Sequence, residues 1–256
     1  MTVAPPPKHS RDLPPIARAA FLLDIDGTLL DFAPAPDLVV VPTGLPPSLR
    51  ALGARLGGAM GLISGRPVAE IDALFPGLGH AVAGEHGAAL RPAPGAAPVR
   101  ADLPMPPPLW RARAAALVAA HPGTLLEDKS RGFVLHFRRV PEAGPVLHDT
   151  IAPLVATDAR FELMAAAMAW EVRARGVDKG AALRAVMALP PFAGRTPLFI
   201  GDDVTDRDAI AAAQAMGGVG LLVGEVFGAP AGVRAWLARA VVEAAWPNIP
   251  TGDVER

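Results

Sequence analysis

The sequence predicts an α/β protein: an open, largely parallel sheet interrupted by an inserted unit of order α-β-β-α-β-β. Three observations point there. Three short apolar runs end in acidic or hydroxyl residues: AAFLLDIDGT (19–28), AMGLISGR (59–66) and PLFIGDDVTD (197–206). Unbroken apolar runs of this length are expected of strands covered on both faces. Stretches with helical spacing alternate with them, as at Leu45, Leu49, Leu52 and Leu56. Between residues 109 and 173 the pattern changes to period-two alternation, which marks strands with one face on helices and the other in solvent.

The first strand falls at 21–23 and the first helix at 45–56, after a proline-marked loop. A second strand, 59–63, precedes Pro67, which suits the first turn of a helix over 68–75. A third strand, 80–83, runs into GEHG (84–87). The proline-rich segment RPAPGAAPVRADLPMPPP (91–108) reads as a linker or domain crossing. Beyond it come a helix at 109–120, strands at 124–127 and 133–138, a helix at 142–155, and strands at 161–165 and 168–173. Phe133, Leu135 and Phe137 face one way, and Val134, His136 and Arg138 the other. Trp170 and Val172 likewise oppose Glu171 and Arg173. The α/β pattern then returns, with a helix at 179–189 N-capped by Asp178. A strand at 198–200, a helix at 206–216, a strand at 219–223 and an amphipathic helix at 232–246 complete it. The expected core is therefore 16–98 with 176–256, the insert is 99–175, and the proline-rich residues 1–15 form a flexible arm.

The chain has 256 residues, 51% of them hydrophobic and 19% charged. That composition supports a sizeable core and argues against wholesale disorder. A net charge of −1 argues against a nucleic-acid or anionic-membrane partner. There is no cysteine, so disulfides, thiolate metal sites and a cysteine nucleophile are excluded. No run of 18 apolar residues suggests a membrane span, and the N-terminus lacks the apolar stretch of a signal peptide. A cytoplasmic location is expected.

The strand ends carry the chemistry. In an open parallel sheet, ligands bind beyond the carboxyl ends of the strands. If the three acidic runs are neighbours, Asp24, Asp26, Ser64, Asp202, Asp203 and Asp206 meet at one edge. DIDGT sets two carboxylates two residues apart just past a strand. Asp24 suits a nucleophile that forms an aspartyl-phosphate. Asp26 suits a general acid and base, a role worth roughly 10²–10⁴ in rate. Gly27 permits a tight turn and close approach of amides to phosphate. An isolated motif of this kind also occurs as an acidic turn. A calcium loop fits poorly, because the remaining ligands and the closing glutamate are missing.

GDDVTD adds three carboxylates. Magnesium needs only one or two of them plus substrate phosphate. Asp24 and Asp202 are the expected ligands, with the Asp26 carbonyl, while Asp203 and Asp206 stand behind them or orient Lys179. Acids at a helix start, which favour the dipole, explain Asp206 and Asp208 but leave the Asp202–Asp203 pair needing a cation. The Ser64 hydroxyl and the Gly65 amide suit a transferring phosphoryl group. Lys179 at a helix start runs against the dipole preference, so a phosphate or carboxylate partner is expected.

With these residues in order, the chain resembles the haloacid dehalogenase superfamily of phosphatases. Its four signatures match DIDGT, the Ser64 turn, Lys179 and GDDVTD. The resemblance implies a Rossmann-like hydrolase core with an α/β type-2 cap, which that superfamily carries between the serine and lysine signatures. It also implies Thr28, Ser64, Gly65 and Lys179 about the phosphate, with Mg2+ as cofactor. A narrower resemblance is to the trehalose-6-phosphate phosphatase family. GEHG (84–87), LEDKSRGFVLHFR (126–138) and WEVRARGVDKG (170–180) carry it. It implies that Glu127, Lys129, His136, Arg138 and Glu171 hold the sugar, with Glu85 and His86 on a core loop facing the cap. Arg173 matches the motif without an assigned role. The sequence departs from the family at RDAI after Asp206, at Ala174 and across the glycine-rich stretch 217–228. The implied partner is a small sugar phosphate. The implied protein is a stand-alone monomer that associates functionally with a trehalose-phosphate synthase. Two other readings stay open: a phosphatase for a sucrose or mannosyl phosphate, and a non-catalytic sugar-phosphate sensor.

Overall fold

The computed structural model describes residues 12–33, 38–78, 80–100, 102–129, 131–166 and 168–249. The chain divides into two compact units, Met1–Ala101 with Asp178–Arg256, and Asp102–Val177. In chain order the first unit begins with β1 (Ala19–Leu23), α1 (Leu45–Arg55), β2 (Met60–Ile63), α2 (Val68–Leu74), β3 (Ala81–Gly84), β4 (Ala89–Arg91) and β5 (Val99–Arg100). The second unit follows with α3 (Pro108–Ala120), β6 (Leu125–Lys129), β7 (Gly132–His136), α4 (Gly144–Val155), β8 (Phe161–Ala166) and β9 (Ala169–Ala174). The chain then completes the first unit with α5 (Lys179–Met187), β10 (Thr196–Gly201), α6 (Asp206–Ala215), β11 (Val219–Leu222), α7 (Val223–Val226) and α8 (Pro230–Glu243).

The first unit holds one sheet in the order β11-β10-β1-β2-β3-β4-β5. The five strands from β11 to β3 run parallel, and β4 and β5 run antiparallel. Every residue of β1 is buried, as the unbroken apolar run requires when helices cover both faces. Alternate residues go to opposite cores. Phe21 and Leu23 pack with Leu49, Leu52, Trp236 and Leu237. Ala20 and Leu22 pack with Ile63, Leu183, Phe199 and Ile210. Register fixes the functional edge: Leu23 lies beside Ile200 on one side and Leu62 on the other. The carboxyl ends of β1, β2 and β10 therefore open together, and Asp24, Ser64 and Asp202 emerge at that edge.

The second unit is a four-stranded antiparallel sheet in the order β6-β7-β9-β8. One face packs on the two helices, with Phe133, Leu135 and Val172 against Trp110, Leu147 and Ile151.

Several expected boundaries move. The proline-rich segment read as a linker contributes β5, because Leu90 and Ala89 pair with Val99 and Arg100. The last core strand stops at Leu222, where the chain turns into the four-residue α7. Strand β7 ends at His136, so Arg138 lies in the turn beyond it rather than on the strand face with Val134. Of the expected arm, residues 1–11 lie outside the described residues. Leu13 is buried, and the Trp246 indole donates to the Pro14 carbonyl at 2.7 Å, so the chain is tied to the core from there. Among the described residues, no helix is long and apolar enough to cross a membrane.

Candidate active site

The β1 strand hands directly to the acidic turn. Asp24 donates its amide to the Ile200 carbonyl of β10 at 3.0 Å, which continues the sheet by one rung. The Ile25 carbonyl then accepts from the amides of Thr28, Leu29 and Leu30, closing a tight turn. Gly27 has φ +75°, and a Cβ there would lie 2.1 Å from Asp202 Oδ2. Only glycine lets the β10 acid approach this backbone.

Lys179 ties the acids together from the start of α5. Its Nζ donates to Asp24 Oδ1 at 2.8 Å and to Asp206 Oδ1 at 2.7 Å. Asp178 caps the same helix by accepting from the Ala181 amide at 2.7 Å, which fixes the lysine's origin. Asp24 and Lys179 are only 3% and 4% exposed, and Asp206 is fully buried. The second oxygen of Asp206 accepts from the amides of Asp202 and Asp203 at 3.0 and 3.1 Å. Asp203 is exposed and accepts from the Thr205 amide and hydroxyl, both at 2.7 Å.

One oxygen from each of Asp24, Asp202 and Asp206 lies within 4.8 Å of the others. Three acids against one ammonium leave an excess of buried negative charge. Burial pushes the Asp24 carboxyl up to about 6, with Lys179 opposing. Burial, then Asp206 and Asp203, pushes Asp202 up to about 6 as well. Lys179 loses solvation, but Asp24 and Asp206 outweigh that loss and hold its ammonium well above the ordinary value. A divalent cation fits this set. Asp206 is committed to Lys179 and two amides. The buried Thr28 hydroxyl lies 3.4 Å from both Asp24 Oδ2 and Asp202 Oδ1, long for hydroxyl–carboxylate bonds. Asp24 and Asp202 thus offer the hard oxygen ligands that magnesium prefers. A groove of about 310 Å3 opens beside Asp202, lined also by Gly27, Asp31, Phe32, Gly228 and Pro230.

Ser64 is buried at the end of β2, donates its amide to the Ala83 carbonyl and accepts from the Arg66 amide at 3.2 Å. The GEHG loop is strapped onto this turn. The His86 amide donates to the Ser64 carbonyl and the Glu85 amide to the Arg66 carbonyl, both at 3.0 Å. Glu85 and His86 sit at φ 52° and 56°, in the left-handed region. The Glu85 carboxylate accepts from Arg100 at 2.9 Å. Gly65 is constrained too, since a Cβ there would lie 2.7 Å from His86 Nε2. Arg66, to which the sequence reading attached no role, makes a bidentate pair with Asp26 at 2.6 and 2.8 Å. The signal for it was its position two residues after Ser64, in the same turn.

In the second unit, β6, β7 and β9 align Glu127, Val134 and Glu171 in one row. Glu127 bridges Lys129 and His136, with the latter at 2.7 Å. The His136 bond, then Lys129, outweighs partial burial and holds the Glu127 carboxyl down at about 2. Glu171 is raised by burial, with Arg173 and Lys129 opposing. Arg173 pairs with Glu162 at 2.8 Å. Arg138 is exposed in its turn, outside this row. Among the expected sugar-binding groups, the strands therefore bring Glu127, Lys129, His136 and Glu171 onto one polar sheet face.

The trehalose-phosphatase family model matches residues 22–229. The chain is 35% identical over 211 residues to a trehalose-6-phosphate phosphatase of Escherichia coli, covering 81% of this chain and 78% of that protein. It is 37% identical over 206 residues to a probable trehalose-phosphate phosphatase of Sinorhizobium fredii, covering 80% and 77%. Among solved structures, the C-terminal domain of the Candida albicans trehalose-6-phosphate phosphatase superposes with a TM-score of 0.72 at 21% identity, over 89% of this chain and 93% of that one. A haloacid dehalogenase-like hydrolase from Bacteroides thetaiotaomicron superposes with a TM-score of 0.61 at 12% identity, over 87% and 98%. The structural matches speak to the fold alone: a parallel-sheet hydrolase core with a cap.

Proposed function

Because the chain belongs to the trehalose-phosphatase family, we propose that it is a magnesium-dependent phosphomonoesterase that hydrolyses trehalose 6-phosphate to trehalose and phosphate. The observation that carries this reading is the cluster of buried Asp24, Lys179 and Asp206 with half-buried Asp202, beside the carboxyl ends of β1 and β10. Asp24 attacks phosphorus, an Asp24–phosphorus bond forms, and the bond from phosphorus to the sugar oxygen breaks. Asp26 gives its proton to the departing oxygen. It then takes a proton from the water that cleaves the aspartyl-phosphate and regenerates Asp24. Lys179, held between Asp24 and Asp206, offsets charge on the transferring group. The Ser64 hydroxyl and the Gly65 amide hold the phosphoryl oxygens. Asp24 and Asp202, with the Asp26 carbonyl, would hold magnesium, which supplies charge neutralisation at the phosphoryl oxygens. Glu127, Lys129, His136, Arg138 and Glu171 serve as sugar-binding groups of the second unit, and Glu85 and His86 serve as substrate-binding residues of the first.

The test is phosphate release from a panel of sugar phosphates with magnesium, with chelator, and with Asp24→Asn as control. Preferential release from trehalose 6-phosphate, abolished by chelation and in Asp24→Asn, is expected. Comparable turnover of sucrose or mannosyl phosphates would keep the phosphatase and reject the trehalose substrate. Binding without any release would favour a sensor.

A further inference from the structure

Arg66 is a strongly placed charged group at this edge that the mechanism above leaves unused. Its guanidinium meets Asp26 along both oxygens, Nε to Oδ2 at 2.6 Å and Nη2 to Oδ1 at 2.8 Å. A bidentate pair fixes both the position and the plane of a carboxyl group. Arg66 is itself anchored. Its amide donates to the Ser64 hydroxyl, its carbonyl accepts from the Glu85 amide, and Nη1 reaches Glu70 at 3.4 Å. Its side chain is 13% exposed, against 29% for Asp26. The fork uses one lone pair on each Asp26 oxygen, and a second lone pair on each stays available for proton exchange. Arg66 therefore aims Asp26 without blocking it, from the same turn that carries Ser64 and Gly65.

We infer that Arg66 is a positioning residue for proton transfer: it holds the Asp26 carboxyl in line with the departing sugar oxygen and ties that aim to the phosphate-binding turn. The inference rests on the phosphatase reading above. In the step concerned, the Asp24–phosphorus bond forms, the bond to the sugar oxygen breaks, and the Asp26 proton moves to that oxygen, leaving the carboxylate paired with Arg66.

Leaving-group dependence tests it. A sugar alkoxide is a poor leaving group and needs its proton; p-nitrophenolate leaves readily without one. The readout is kcat/KM, which covers steps only through formation of the aspartyl-phosphate. Arg66→Gln is expected to lower kcat/KM on trehalose 6-phosphate about 100-fold, within the range of general acid catalysis, and on p-nitrophenyl phosphate less than about 3-fold. Arg66→Lys keeps the charge but not the fork, and is expected to recover about a tenth of the loss or less. In an Asp26→Asn background, Arg66→Gln should cost nothing further, because both changes remove one function. Equal losses on both substrates would assign Arg66 to the phosphoryl group and overturn the inference. So would no loss on either, or a full further loss in the Asp26→Asn background. If Arg66→Gln melts below assay temperature, Arg66→Lys is judged by the same substrate ratio. Failure of the wild type to release phosphate from either substrate would instead reject the phosphatase reading.

Discussion

Beside Asp206, whose carboxyl is pushed up to about 7 chiefly by burial, Asp24 and Asp202 shape the pH behaviour of the first unit. Both carboxyls are raised from 3.8 to about 6, chiefly by burial. Between about pH 4 and pH 6 the folded chain keeps protons that the unfolded chain has lost. Stability from these groups is therefore full below about pH 4 and is lost as pH rises through 6. A cation that binds the ionised forms reverses that loss, because magnesium competes with protons for the same oxygens. The gap between melting temperatures measured with magnesium and with chelator should be small at pH 4.5 and widen toward pH 7.5. At 100 times Kd the ligand contributes about 2.7 kcal/mol. A gap that stayed constant across that range would count against Asp24 and Asp202 as the metal-binding pair. The residue identities were legible in the sequence, since acids following apolar runs mark strand ends. The Arg66–Asp26 fork was not, because nothing in the chain says which acid an arginine 40 residues away will meet.

At the scale of elements, the turn from β1 to Leu30 depends on one glycine. A Cβ on Gly27 would collide with Asp202, and φ +75° is costly for any other residue. Gly27→Ala should lower stability by about 1–3 kcal/mol and remove most phosphatase activity, read by chemical denaturation and phosphate release. Near-normal activity would show that the Asp202 approach is not needed. The long periodic elements were legible in outline: Leu45, Leu49 and Leu52 bury the face of α1, and Asp178 caps α5. Strands β4 and β5 were not. They span three and two residues, β5 is exposed on both, and the segment between them carries Pro92, Pro94 and Pro98. Their pairing comes from a neighbouring strand, not from any local preference.

The whole molecule divides into two compact units. The acidic cluster of Asp24, Asp202 and Asp206 lies in the first. The polar sheet face of Glu127, Lys129, His136 and Glu171 lies in the second, where Glu127 contacts both Lys129 and His136. If that face holds the sugar, Lys129→Met should lower kcat/KM on trehalose 6-phosphate by about 100-fold or more, the scale set by leaving buried polar partners unpaired. Turnover of p-nitrophenyl phosphate, which lacks the sugar, should change little. Parallel losses on both substrates would remove Lys129 from sugar recognition.

The sequence by itself determined the strand-helix order, the α-β-β-α-β-β insert and the acids, serine and lysine set at the ends of strands and helices. Each follows from local rules: periodicity, caps, and polar residues at the ends of buried runs. Only the tertiary structure decided that Leu23 lies between Ile200 and Leu62, that Lys179 bridges Asp24 and Asp206, and that Asp26 is held by Arg66. Those contacts join residues up to 177 positions apart, Leu23 and Ile200. Strand order and register set them, and no local preference encodes either one.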